Sequence, residues 1–176
     1  MLTYRFATTN DATVIVALVE SAYRGESSRA GWTTEADLLD GQRTDSEAVR
    51  TILESAGARM LLAYDDDAAL VGCCQLQQRP DAVAYFGMFA VRPARQGQGT
   101  GKHILARAEQ LARQDWAART MVMTVLAPRL DLIAWYERRG YRRTGATTPF
   151  PYGNLRAGQP KRPDLSFVEL AKNLAG

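Results

Sequence analysis

The chain has 176 residues, of which 46% are hydrophobic and 23% are charged, values typical of a single globular domain over residues 1–176. No apolar run reaches membrane-spanning length, and MLTYRFATTN lacks the apolar stretch of a signal peptide. The net charge of +3 is too small to indicate nucleic-acid binding by itself. Cys73 and Cys74 lie on a predicted strand without zinc-site spacing, so we expect reduced thiols, no metal and a cytoplasmic protein.

The two halves of the chain differ in charge. Residues 1–91 hold 7 Arg against 13 Asp and Glu, whereas residues 92–176 hold 15 Lys and Arg against 6 Asp and Glu. Such asymmetry is typical of a protein with two partners of opposite charge, but also of an unevenly charged solvated surface.

The first half of the chain predicts two helices followed by three strands. After a strand at 2–7, Asn10 or Asp11 caps a helix that ends near residue 23. Residues 24–43 are rich in Gly, Ser, Thr and acids and predict at most short helical pieces. Thr44 and Glu47 fit a capping box that begins a second helix, which ends near Ser55. Turn signals then separate three strands of a predicted antiparallel meander, at 58–65, 69–78 and 82–91.

The second half alternates strands and helices. A helix runs from the glycine stretch to about Gln114, and a second begins at Pro128 and ends at Arg139 before Gly140. Residues 149–163 form a Pro/Gly-rich loop. The strands lie at 120–127, 141–148 and 164–172. The whole order, β-α-α-β-β-β-α-β-α-β-β, predicts a mixed α/β fold.

The glycine stretch precedes the third predicted helix and favours phosphate binding. A Walker A loop would need glycine at position 96 and a hydroxyl at 103, where the chain has Gln96 and His103. A dinucleotide fingerprint would need glycine at position 102, where the chain has Lys102. Unpaired N–H groups and the dipole of a helix start attract a diphosphate, and glycines let it approach closely. The alternative is a glycine-rich turn that leads into a surface helix.

The same stretch fits Gln/Arg-x-x-Gly-x-Gly/Ala, and here the chain resembles the GNAT superfamily of acetyl-CoA-dependent N-acetyltransferases. The resemblance spans nearly the whole chain in element order and is strongest over residues 84–145. It implies a twisted, mostly antiparallel central sheet flanked by helices, and acetyl-CoA as co-substrate. It also implies two splayed strands, 84–91 and 120–127, with pantetheine paired in the gap to the backbone of Phe89, Ala90 and Val91. The implied diphosphate-binding residues are Gln96, Gly97, Gln98, Gly99, Thr100, Gly101 and Lys102.

A second segment, RLDLIAWYERRGY at 129–141, resembles the family's helix that carries Ala-x-x-x-Tyr-Glu-Lys-x-Gly-Phe. The resemblance implies that Tyr136 donates a proton to the departing thiolate, although its spacing from Leu132 also fits a packed core aromatic. Arg129 stands where the family often has Asn. Arg129 or Arg138 would then contact a cofactor phosphate, or would be solvated helix charges.

The acceptor would be bound by the segments 24–47 and 148–163, since loops on a rigid scaffold commonly carry binding residues. The acidic first half suits a cationic amine. No carboxylate stands on the fourth strand, so Glu26, Glu35 or a water chain remain candidates for the general base. The candidate acceptor-binding residues are Glu26, Trp32, Glu35, Tyr85 and Phe150.

We therefore predict a GNAT-like N-acetyltransferase that moves an acetyl group from acetyl-CoA directly to a primary amine. The alternatives are a non-catalytic CoA-binding sensor or interaction module, and a nucleotide-binding enzyme. We expect no nucleic-acid or membrane partner. The resemblance makes a homodimer through the late strands an expectation.

Overall fold

The computed structural model describes residues 1–176 and contains four α-helices around a seven-stranded sheet. The helices are α1 (Ala12–Tyr23), α2 (Ser46–Glu54), α3 (Thr100–Trp116) and α4 (Leu130–Glu137). The strands are β1 (Thr3–Phe6), β2 (Leu39–Asp40), β3 (Ala58–Tyr64), β4 (Leu70–Arg79), β5 (Val83–Val91), β6 (Thr120–Leu126), β7 (Arg142–Pro149), β8 (Gln159–Pro160) and β9 (Ser166–Asn173). No helix has the length and apolar character needed to cross a bilayer.

The large sheet has the strand order β1-β3-β4-β5-β6-β9-β7. All neighbours pair antiparallel except β5 and β6, which are parallel. The predicted mixed α/β fold and the predicted meander of β3, β4 and β5 are therefore confirmed. Strand bounds differ from the predicted ones by one or two residues.

Helices cover both faces of the sheet, and successive side chains of β4 point to opposite faces. Cys73 belongs to the hydrophobic cluster that α1 and α2 form over one face. Cys74 belongs to the larger cluster under α3 and α4 on the other face. Both cysteines are free thiols, and burial raises the pKa of the Cys73 thiol to about 12. These two thiols are therefore core groups, as the alternation of a strand predicts.

The predicted cap of α2 is wrong, whereas Asp11, one of the two caps predicted for α1, is confirmed as the residue that precedes the helix. The cap of α2 is Asp45, whose carboxylate accepts the Ala48 N–H at 2.8 Å. Thr44 is instead held by its own N–H, which donates to Glu20. At α1, the Asp11 carboxylate accepts the N–H of Thr8 and so closes a 3-10 turn that precedes the helix. Helix α2 therefore begins one residue later than the capping box predicts, because the Asp45 carboxylate accepts a free N–H of the first turn.

The segment before α2 and the segment after β7 meet in a way that the sequence did not predict. Leu39 and Asp40 form a two-residue ladder with Pro160 and Gln159, so the two predicted loops pair with each other. Beneath them a small third cluster buries Leu39, Leu126, Phe150 and Leu165. This arrangement closes one end of the molecule over the open part of the sheet.

Strands β5 and β6 separate soon after they begin to pair. Their parallel register joins only Val83–Tyr85 to residues 120–122. Beyond that point β6 continues to pair with β9 on its other edge. A bulge at Met88, with φ of +42°, bends β5 where its register with β4 shifts. The gap between β5 and β6 exposes a backbone edge in the middle of the sheet.

Candidate active site

The glycine loop presents a run of unpaired backbone donors. The N–H groups of residues 97–102 have no hydrogen-bond acceptor within the chain, and the first bond into α3 runs from the His103 N–H to the Gly99 oxygen. Gly97 and Gly99 adopt positive φ values of +78° and +84°. Left-handed residues that alternate with ordinary ones turn successive N–H groups toward one side and form an anion-binding concavity. This loop can therefore hold a phosphate group against the start of α3.

A cavity of about 410 Å³ opens in front of this loop. At Gly101, a Cβ atom would lie 3.2 Å from the Phe89 ring and 3.5 Å from that of Trp135, so α3 packs closely against both. Lys102 and Arg138 line the cavity without an ion-pair partner, and Arg139 stacks on Trp135 with its guanidinium carbon 3.6 Å from the ring centroid. The cavity is therefore rich in cationic and aromatic groups.

Gln96 connects the glycine loop to the segment before β2. Its side-chain oxygen accepts the Trp32 N–H at 2.8 Å, and its amide nitrogen donates to Thr33 Oγ1 at 2.8 Å and to the Val91 carbonyl at 2.9 Å. Arg129 reaches the same segment from α4, donating to the Thr33 carbonyl at 2.8 Å. The Gln96 side chain thus fixes the cavity wall, and Arg129, which bonds to the segment behind that wall, does not line the large cavity.

The open edge of β5 offers two N–H groups to the gap. The Arg92 N–H donates to the Val71 carbonyl of β4, so Ala90, two residues earlier, also faces β4 and pairs with Cys73. Phe89 and Val91 then face the gap. Their carbonyls are already occupied, since Tyr23 donates its hydroxyl to Phe89 and Gln96 donates to Val91.

Tyr136 lines a second, smaller cavity of about 100 Å³ that lies between the splayed strands. The side chain is 4% exposed, and its ring meets those of Trp135 and Tyr141 edge-on. Its hydroxyl takes part in no hydrogen bond within the chain, in contrast to those of Tyr23 and Tyr141. Burial, and next the nearby Tyr23, raise the pKa of Tyr136 well above its usual value. The phenol therefore stays protonated at neutral pH.

The two cavities adjoin. Tyr23, Phe89 and Leu132 line both of them. A molecule that lies along the glycine loop and the edge of β5 would thus end beside the Tyr136 cavity. The arrangement places an anion site, a sheet edge and a protonated phenol along one path.

Three of the five predicted acceptor-binding residues line a cavity, and two do not. Trp32 lines the large cavity, whereas Glu35 and Phe150 line the small one. Glu26 lies outside both, with 89% of its side chain exposed and an ion pair to Arg29. Tyr85 lies where β5 still pairs with β6, and the Arg79 guanidinium covers its ring at 4.3 Å.

The acids of the segment 24–47 do not form a free negative surface. Each of the six is paired with a nearby cation. The pairs are Glu26 and Asp37 with Arg29, Glu35 with Arg24, Asp45 and Glu47 with Arg156, and Asp40 with Lys161.

Several cavity residues were not singled out from the sequence. Tyr23 closes the last turn of α1 and lines both cavities. Arg24 and Arg43 line the small cavity around Glu35. No local pattern identifies these residues, because the groups that they face come from distant parts of the chain.

Comparisons with known proteins identify the family and support the fold. A sequence model described as the Acetyltransferase (GNAT) family matches residues 16–141. No curated protein matches the sequence.

Solved structures share the fold at low identity. The ribosomal-protein-S18-alanine N-acetyltransferase from Escherichia coli superposes with a TM-score of 0.72 at 14% identity, covering 100% of this chain and 96% of that one. A spermidine N-acetyltransferase chimera from Vibrio cholerae and hSSAT gives 0.69 at 14%, covering 99% and 96%. A nourseothricin acetyltransferase gives 0.68 at 18%, covering 98% of each chain. Because the family model covers most of the chain, the chain belongs to the Acetyltransferase (GNAT) family.

Proposed function

We propose that this protein transfers an acetyl group from acetyl-CoA directly to a primary amine. The observation that carries the proposal is the run of free N–H groups at residues 97–102, at one end of a cavity that leads to the Tyr136 hydroxyl. Diphosphate is the anion that suits several adjacent amides at a helix start. The family supplies the acetyltransferase class, and the free amides support CoA as the donor.

The edge of β5 supports a position for the pantetheine arm. The carbonyls of Phe89 and Val91 are already bonded, so their N–H groups are the available partners, and they would donate to pantetheine carbonyls as one strand donates to another. Ala90 would contribute its side chain rather than its backbone. Lys102 and Arg138 would add cationic charge to the phosphate end of the cavity.

The chemistry needs one bond to form and one to break. The neutral amine attacks the thioester carbon, the new C–N bond forms, and the C–S bond breaks with the electron pair going to sulfur. Tyr136, which burial keeps protonated, would donate its proton to that thiolate. The ammonium proton leaves to solvent before attack. The second proton, which the nitrogen loses once the C–N bond has formed, restores the Tyr136 phenol through solvent, so the products are the amide and the CoA thiol. Both cysteines are buried in the core, which favours direct transfer over a covalent acyl-enzyme.

The structural neighbours are named for different acceptors, an alanine of a ribosomal protein and spermidine among them. The fold therefore does not select an acceptor. The acidic first half suggested a cationic amine, but the ion pairs of its six acids remove the support for that interpretation.

The test combines binding and turnover. Calorimetry with CoA, ATP and NAD side by side should show tight binding of CoA alone. Release of the CoA thiol across a library of amines should then exceed the rate without amine. Tight CoA binding with no amine-dependent thiol release would favour the alternative of a non-catalytic CoA-binding module.

Pairing of two copies belongs to the same proposal. Strand β7 forms an edge of the sheet, and all eight of its residues are exposed. A long exposed edge is a ready surface for a second copy. Sedimentation at micromolar concentration should give the mass of a dimer, and a monomer mass would contradict this part of the proposal.

A further inference from the structure

The small cavity is lined by more cationic than anionic side chains. Arg24, Arg43 and Arg129 line it together with a single carboxylate, that of Glu35. Arg129 is already engaged with Asp131 and the Thr33 carbonyl. The cluster of Arg24, Glu35 and Arg43 therefore has two guanidinium groups for one carboxylate.

The hydrogen bonds of this cluster are incomplete. Arg24, whose side chain is 4% exposed, donates to Glu35 at 3.2 Å and to the Gln42 carbonyl at 2.9 Å, but its Nε atom is buried without a partner. The Nε atom of Arg43 is also buried without a partner, 4.0 Å from the nearest Glu35 oxygen. Buried donors of a charged group normally have acceptors, so the two arginines have donor capacity that no group of the chain takes up.

The position of Arg43 is fixed by the fold. Its backbone N–H and that of Thr44 both donate to one oxygen of Glu20, at 2.6 and 2.8 Å. Its guanidinium lies over the Tyr23 ring, 5.6 Å from the centroid. Arg43 lines the small cavity and not the large one, so it lies on the acceptor side of the proposed transfer point.

We propose that the acceptor amine also carries a carboxylate, which Arg43 and Arg24 bind. This inference rests on the proposed acetyltransferase function and names its substrate class. A planar guanidinium matches a carboxylate with two parallel hydrogen bonds. The remaining walls are apolar, with Leu39, Met123, Leu126, Phe150 and Phe167. A volume of about 100 Å³ suits a small molecule, so the acceptor is an amino acid with an apolar side chain.

The test uses matched acceptors that differ only in the carboxylate. The rate of CoA thiol release is measured with the apolar L-amino acids, their amides and the corresponding decarboxylated amines, such as L-leucine, L-leucinamide and 3-methylbutylamine. The best amino acid should exceed its amide and its decarboxylated amine by about tenfold or more in kcat/KM.

Two variants separate the site from general effects of charge. Arg43→Met should reduce that preference, measured as the ratio of kcat/KM for the amino acid to kcat/KM for its amide, by about tenfold or more. Arg43→Lys, which keeps the charge but loses the planar fork, should recover part of it. Arg29→Met is the matched control, since Arg29 is 39% exposed against 37% for Arg43 and lines neither cavity.

The outcomes are distinguishable. A higher kcat/KM with amides or decarboxylated amines, or a preference that Arg43→Met leaves unchanged, would overturn the carboxylate site and leave the acetyltransferase function standing. Thiol release that no amine accelerates would overturn both. A preference for amino acids that Arg43→Met and not Arg29→Met abolishes would establish the inference.

Discussion

Removal of the Tyr136 hydroxyl is the sharpest single change to the proposed chemistry. The Tyr136→Phe ring keeps its edge contacts with Trp135 and Tyr141. Because the hydroxyl bonds to no group of the chain, its loss leaves no buried partner unsatisfied. We therefore expect the free energy of unfolding to change by less than about 1 kcal/mol. The variant tests chemistry rather than folding.

The expected loss of rate follows from the environment of the phenol. Burial raises the pKa of Tyr136 well above its usual value, so the group is an acid over the whole neutral range. General acid catalysis typically contributes about 10²- to 10⁴-fold. A thiol with a pKa of about 8.5 leaves fairly readily without help. We therefore expect the lower end, a fall in kcat of about 100-fold, with the Kd for CoA changed less than about twofold because no bond to the cofactor is lost.

The assay is CoA thiol release under saturating amine, with rapid mixing to establish that transfer limits the rate. Tyr4→Phe is the control, since Tyr4 lies on β1 and its hydroxyl also lacks a hydrogen-bond partner. An unchanged kcat for Tyr136→Phe, with transfer still rate-limiting, would refute the role of this phenol as the acid.

Three further changes test the loop and the core. Gly99→Glu should weaken CoA binding about 10- to 100-fold relative to Gly99→Gln at low salt, because only the former places a negative charge beside the diphosphate; equal Kd values by calorimetry would contradict this. Gln96→Ala should lower the free energy of unfolding, measured by urea titration, by about 2–4 kcal/mol because it removes hydrogen bonds to Trp32, Thr33 and Val91. Gln98→Ala is the control: it removes one exposed hydrogen bond and should change the free energy of unfolding by less than about 0.5 kcal/mol. Burial raises the pKa of Tyr23 from 10.0 to about 12. The protonated phenol therefore contributes about 2–3 kcal/mol to the free energy of unfolding below pH 10, and this contribution is lost as pH rises toward 12. Thermal unfolding from pH 8 to 12 should show the decline, and a stability that does not change over this range would contradict it.

The strand pattern was predictable because its causes are local. Turn signals separate β3, β4 and β5, and alternation sets Cys73 and Cys74 on opposite faces. The ladder of Leu39 with Pro160 was not predictable. Two residues carry no periodicity, and their partner lies more than a hundred positions away.

The site was predictable to the extent that its groups depend on nearby sequence. The free amides of the glycine loop follow from three glycines at the start of a helix. The charge of the acceptor side did not follow from a count of acids. Glu47 pairs with Arg156, 109 residues later in the chain, and Glu35 is outnumbered by the guanidinium groups around it. Ion pairs between distant parts of the chain, which composition does not reveal, determine the charge of the acceptor side.

The central claim is that the amides of residues 97–102 hold the diphosphate of CoA, and a crystal structure of the CoA complex tests it most directly. Phosphate oxygens should lie about 2.7–3.2 Å from several of these nitrogens, with the sulfur directed toward Tyr136. Electron density for CoA in another place, with these amides bound only to water, would contradict it.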